Sequence, residues 1–112
     1  MKYPKIIKRY ISPECHEVEL TLFIPQEIIY FDGHFPGTPV LPGVVQVDWV
    51  IKFAAEIFKL DKTNVTSINQ LKFTRVILPE STIILFLSLI DKRVMFKYMK
   101  GPVNYSSGKI SF

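Results

Sequence analysis

Along residues 17–24 the chain alternates: Val18, Leu20, Leu22 and Ile24 fall on one side, Glu17, Glu19 and Thr21 on the other. A period of two predicts a half-buried strand, which Pro25 ends. Residues 44–59, VVQVDWVIKFAAEIFK, contain no glycine or proline and predict the one long helix. Its apolar residues lie nearly all round, so the helix is expected to be buried on most sides. The exception is a polar stripe of Asp48, Lys52, Glu56 and Lys59 at helical spacing. Beyond the helix the pattern is strand-like throughout. Residues 65–77 are rich in β-branched and aromatic side chains up to Pro79, and ILFLSLI at 84–90 reads as a strand covered on both faces. Asp91-Lys92-Arg93 makes a tight connection to a strand at 94–99, and a turn at Lys100-Gly101-Pro102 leads into a final strand from Val103 to Phe112.

The predicted order is therefore one strand, a long loop, a buried helix and four strands. Consecutive strands imply an antiparallel sheet and an α+β class. One long helix has to pack on one face of that sheet, and a sheet curled around a single central helix is the hot-dog arrangement.

Length and composition fit one domain spanning residues 1–112, with 48% hydrophobic residues, nine Phe and five Tyr to build a core. A chain of this size buries only about two-thirds of its unfolded surface, which leaves apolar area for self-association. The net charge of +4 is scattered; it serves solubility or steers an acidic partner. The single cysteine, Cys15, rules out an internal disulfide and a Cys-rich metal site. The N-terminus lacks the apolar stretch of a signal peptide, and no run reaches the ~18 apolar residues of a membrane span. The expectation is a soluble cytoplasmic protein with no membrane span.

The stretch FDGHFPGTPVLPG, residues 31–43, concentrates three of the five glycines and three of the eight prolines around His34. Each proline fixes its own φ and pushes its predecessor away from helix, so the segment is stiff and extended. A rigid crossover with an incidental histidine needs less than this. Pro42 suits the first turn of the helix, where its missing N–H costs nothing. The free donors that follow belong to Gly43, Val44 and Val45, and Gly43 has no side chain to block an approaching oxygen. Asp48 lies too deep in the helix for a cap. It either pairs with Lys52 one turn on, or serves as a general acid whose pKa is raised by apolar surroundings.

These residues carry a resemblance. GHFPGTPVLPGVVQVD resembles the signature of the hot-dog 3-hydroxyacyl-[acyl-carrier-protein] dehydratases of the FabZ and FabA type, with Gly-His-Phe-Pro, Pro-Val-x-Pro-Gly and an acid fourteen residues after the histidine. LKFTRVILPEST at 71–82 is similar to the family's strand after the central helix. The small size and the VVQVDW segment are most similar to the dehydratases of aryl-polyene-type clusters, the ApeI-like branch. The resemblance implies that His34 takes the α-proton of a 3-hydroxyacyl thioester and that Asp48 donates a proton to the departing β-hydroxyl. It implies that the Gly43 amide polarises the thioester carbonyl. Those roles fit together, because a weakly acidic α-proton needs donors at the oxygen as well as a base. The resemblance further implies that the acid of each site comes from the partner subunit, so that the active unit is a homodimer or higher homo-oligomer with sites at the subunit interface, and it implies an acyl tunnel. Phe35, Val40, Trp49 and Phe53 are candidates for its lining, with plain core packing as their alternative. No metal and no enzyme-bound cofactor is implied; the substrate arrives on the phosphopantetheine of acyl carrier protein.

The chain departs from the pattern in three places. Its acid is Asp48, as in the FabA branch, where many FabZ-type members have Glu. Trp49 stands where the family has Ala, and Lys52 where it has Gln, and both changes bear on substrate length and on the setting of Asp48. Carrier proteins are acidic, so Lys5, Lys8, Arg9, Lys72 and Arg75 are docking candidates. A hot-dog thioesterase and a non-catalytic acyl-carrier-binding module are the competing readings; the presence of both His34 and Asp48 favours dehydration. His16, beside Cys15 at a strand start, reads as a surface residue, and with Glu14 and Glu17 it does not converge on a metal, because adjacent strand residues face opposite ways. Nothing has the spacing of a nucleic-acid motif.

Overall fold

The computed structural model describes residues 2–28 and 39–112. Eight backbone pairs, from Glu17↔Ser88 to Ile24↔Ser81, join strand β2 (Glu17–Ile24) to strand β4 (Ser81–Ile90). This register sets the inward residues Val18, Leu20 and Leu22 against Leu87, Leu85 and Ile83, all buried. β5 (Arg93–Lys100) and β6 (Val103–Ser111) continue the meander and add Val94, Phe96, Tyr98, Ser106 and Ile110 to the inner face. Gly108 lies on that face because a Cβ there would come within 2.7 Å of the Phe96 ring and 2.6 Å of Leu71. Helix α1 (Gly43–Phe58) fills the concave side with Val45, Val47, Trp49, Val50, Phe53 and Ala54. A helix that is apolar on most sides has to be buried on most sides, and the curved sheet does this here.

Among the described residues the sheet has six strands in the order β1-β2-β4-β5-β6-β3, all neighbours antiparallel. The sequence pattern gave five. The additional strand is β1 (Lys5–Ile11), an edge strand against β2 that is exposed at six of its seven positions. A register shift between Ile6 and Lys8 breaks its alternation, so no period of two is left to read. β3 (Ser67–Phe73) is shorter than the predicted 65–77. After Phe73 the chain leaves the ladder: Thr74 N and Arg75 N both donate to Tyr105 O, and Ile77 O instead receives Leu41 N at 2.8 Å.

Two further expectations are corrected. The helix spans 43–58 rather than 44–59, because Lys59 turns into the left-handed region at φ 59° and closes the helix on Ala55 O. β4 is longer than 84–90 and is not covered on both faces: Ile83, Leu85 and Leu87 are buried, whereas Ile84 and Phe86 on the outer side are only half-buried. Cross-strand neighbours, not a second layer, shield them.

Candidate active site

The site is built where the chain enters α1. Pro42 caps the helix from extended backbone (φ −61°, ψ 146°) with no side-chain bond, and its carbonyl accepts from Val45 N at 3.1 Å and Gln46 N at 3.2 Å. A trans peptide holds its N–H opposite to its C=O. The Pro42 carbonyl points into the helix, so the Gly43 N–H points out of its N-terminus. Val45 N, one of the donors expected to be free, is taken by Pro42, which leaves Gly43 and Val44 without backbone partners among the described residues. The positive end of the helix dipole adds to their pull on an oxygen. Gly43 is needed for close packing: a Cβ there would lie 2.9 Å from two atoms of the Phe73 ring.

Val40, Leu41, Pro42, Gly43 and Gln46 on one side and Phe73, Thr74, Arg75 and Val76 on the other line a cleft of about 320 Å³. Val40 is half-buried there. Trp49 and Phe53, also considered for an acyl tunnel, sit in the core at 0% and 4% exposure. Trp49 Nε1 donates to Lys2 O at 3.0 Å. His34 and Phe35 lie outside the described residues.

Asp48 is one turn beyond Val44 on the same helix face, and both side chains are exposed in the single chain, Val44 at 77%. The pairing of Asp48 with Lys52, one of the two alternatives left open by the sequence, does not form. Lys52 Nζ turns the other way, to Glu56, and lies 4.7 Å from the centre of the Tyr3 ring. The carboxylate of Asp48 is therefore left facing outward beside an apolar stripe.

Sequence reasoning missed the polar cluster beneath this face. Gln46 is 2% exposed; its Nε2 donates to Leu41 O at 3.2 Å and its Oε1 accepts from Ser106 Oγ at 2.7 Å. Tyr98 OH donates to the Gln46 carbonyl at 2.7 Å. Burial first, and then the charge of Asp48, push the Tyr98 phenol well above its ordinary range, so it remains a donor. A signal did exist. Gln46 is two positions from Asp48, about 200° round the helix, so it cannot belong to the solvent stripe and has to be satisfied inside.

Among the described residues no cluster of His, Cys, Asp and Glu is arranged to hold a metal, and no helix is long and apolar enough to cross a membrane. The cationic candidates divide between the two sheet edges. Lys5, Lys8 and Arg9 are exposed on β1, whereas Lys72 and Arg75 are exposed on β3 and just after it, with Arg75 in the wall of the cleft.

A six-stranded antiparallel sheet curved around one helix defines this as a hot-dog protein, and the comparisons give the same fold. A chain of the dehydratase heterocomplex ApeI:P from Xenorhabdus doucetiae superposes with a TM-score of 0.83 at 32% identity, over 97% of this chain and 96% of that one. An uncharacterised protein from Erwinia carotovora superposes with a TM-score of 0.81 at 33% identity, over 97% and 94%. The sequence model of the ApeI-like family, described as ApeI dehydratase, matches residues 10–109, and the chain belongs to that family. The 3-hydroxyacyl-[acyl-carrier-protein] dehydratase FabZ of Enterococcus faecalis is 30% identical over 87 residues, 72% of this chain and 62% of the relative. The FabZ of Levilactobacillus brevis is 31% identical over 70 residues, and the match covers about half of that relative's length, 47%, and 57% of this chain.

Proposed function

We propose that this protein dehydrates a 3-hydroxyacyl thioester, carried on the phosphopantetheine of an acyl carrier protein, to the trans-2-enoyl thioester. His34 takes the α-proton, and the negative charge that develops on the thioester oxygen meets the outward N–H of Gly43. The β-carbon–oxygen bond then breaks as Asp48 gives its proton to the departing hydroxyl, which leaves as water. Atoms and charges balance without a metal or a bound organic cofactor. The observation that carries the reading is the Gly43 amide, aimed out of the N-terminus of the helix that also presents Asp48 outward. The setting that fits an ApeI-like chain is polyene-type biosynthesis in the cytoplasm.

The active unit in this reading is a homodimer. Asp48 is exposed in one chain, and a carboxyl that acts as an acid works best out of water. The edge strand β3 offers unpaired backbone together with exposed Ile68, Leu71 and Phe73, and Val76 and Leu78 follow in the same condition. An edge of that kind is stable in solution when a second chain covers it. Arg75 in the wall of the cleft, with Lys72 on the same sheet edge, is better placed than the β1 cations to receive an acidic carrier.

Dehydration and reverse hydration, assayed on carrier-bound substrates of several lengths, test this. His34→Ala and Asp48→Asn are each expected to lose about 10²–10⁴-fold in rate. Full activity in either variant overturns the assignment. Release of free acid would make the protein a thioesterase, and binding of acyl carrier without turnover would make it a binding module.

A further inference from the structure

The geometry points to Gln46 as the positioning residue of the site, the side chain that aims the Gly43 amide; this rests on the dehydration reading above. A carboxamide at 2% exposure is costly to bury unless both of its ends are bonded. Both ends are used: one is anchored on the sheet, and the other holds the segment that leads into Gly43. The Oε1 end is held by Ser106 Oγ on β6 at 2.7 Å, and the Nε2 end reaches Leu41 O at 3.2 Å. Leu41 is the residue before Pro42. Its N–H is also fixed, to Ile77 O at 2.8 Å, so both backbone polar groups of Leu41 are clamped from opposite sides. Gln46 N closes on the Pro42 carbonyl at 3.2 Å, and that peptide plane sets the direction of the Gly43 N–H. The main chain of Gln46 is in turn anchored to the sheet by Tyr98 OH at 2.7 Å. One residue therefore joins the sheet, the helix and the approach segment around the donor.

An apolar residue would fill this volume and support the helix equally well. What it would not do is hold the Leu41 carbonyl. Loss of that hold lets the Pro42-Gly43 peptide tilt, and a misaimed donor costs transition-state stabilisation more than ground-state binding.

The test separates positioning from mere packing. Gln46→Met keeps length and apolar contact but leaves Ser106 Oγ unpaired. Adding Ser106→Ala removes that unpaired hydroxyl. The single variant is expected to melt lower than the parent, and the double variant to recover part of that loss, because the Leu41 carbonyl stays without its donor in both. In both variants kcat on 3-hydroxyacyl-pantetheine thioesters is expected to fall about tenfold to a hundredfold, with KM changed by less than about threefold. The amide order parameter of Gly43 is expected to drop from about 0.85 towards 0.6. Recovery of kcat together with melting temperature in the double variant would overturn the proposal. If the parent turns over no 3-hydroxyacyl probe, the reaction assignment fails on its own and the Gly43 order parameter still decides: an unchanged value in Gln46→Met overturns positioning.

Discussion

The two faces of α1 have been solved differently by the same sixteen residues. On the inner face every large group has a partner within the chain: Trp49 donates to Lys2 O, Gln46 is bonded at both ends, and Phe53 and Ala54 are closed off from solvent. On the outer face Val44 is 77% exposed and Asp48 faces outward beside it. The inner face completes a fold. The outer face presents chemistry that a single chain does not enclose, so damage to one face should be felt as stability and damage to the other as activity.

The strongest test of that division is Trp49→Ala. It removes the largest fully buried side chain and orphans a backbone carbonyl, and an unfolding titration is expected to show a loss of about 3–5 kcal/mol. The neighbouring change Asp48→Asn, severe in the rate assay, is expected to stay within about 0.5 kcal/mol of the parent in the same titration. Equal losses from both would erase the distinction between the faces.

Tyr98→Phe is a smaller and pH-dependent probe. The folded-state pKa of Tyr98 is raised, so its contribution is fully present below the unfolded tyrosine value of about 10 and is lost as pH climbs above it. Stability of the parent should fall through the alkaline range, and the phenylalanine variant should fall less steeply. Its cost at neutral pH is about 1 kcal/mol, one buried hydrogen bond. Least affected should be Glu56→Gln. It breaks the Lys52–Glu56 pair, whose side chains are 32% and 57% exposed, and such i,i+4 pairs are worth about 0.3–0.5 kcal/mol. Any clear change in rate from that variant would mean that Lys52 reaches Asp48 after all.

Most of the architecture was legible because burial and periodicity agree. β2 was read to the residue, and α1 to within one residue at each end, since a glycine-free and proline-free apolar run has few alternatives. β1 was not legible: an edge strand of mixed charge with a register shift shows neither a period nor a buried side. The end of β3 was misplaced because β-branched residues at 74–77 favour extended backbone whether or not a neighbour pairs with it. At the site, Gly43 and Asp48 stood out as residue types unusual for their positions. Gln46 gave only the signal of its place on the inner side of the helix, and Ser106 and Tyr98 gave none, since their meeting with it spans 60 and 52 residues of chain.

The bond between the Trp49 indole and Lys2 has a practical consequence. The chain contains one tryptophan, fully buried and adjacent in sequence to Asp48. Its emission is therefore a built-in optical gauge of the seating of the N-terminal segment. A shift to the red would signal that the segment has come away and let water reach the ring. The shift is readable in a cuvette with no label added.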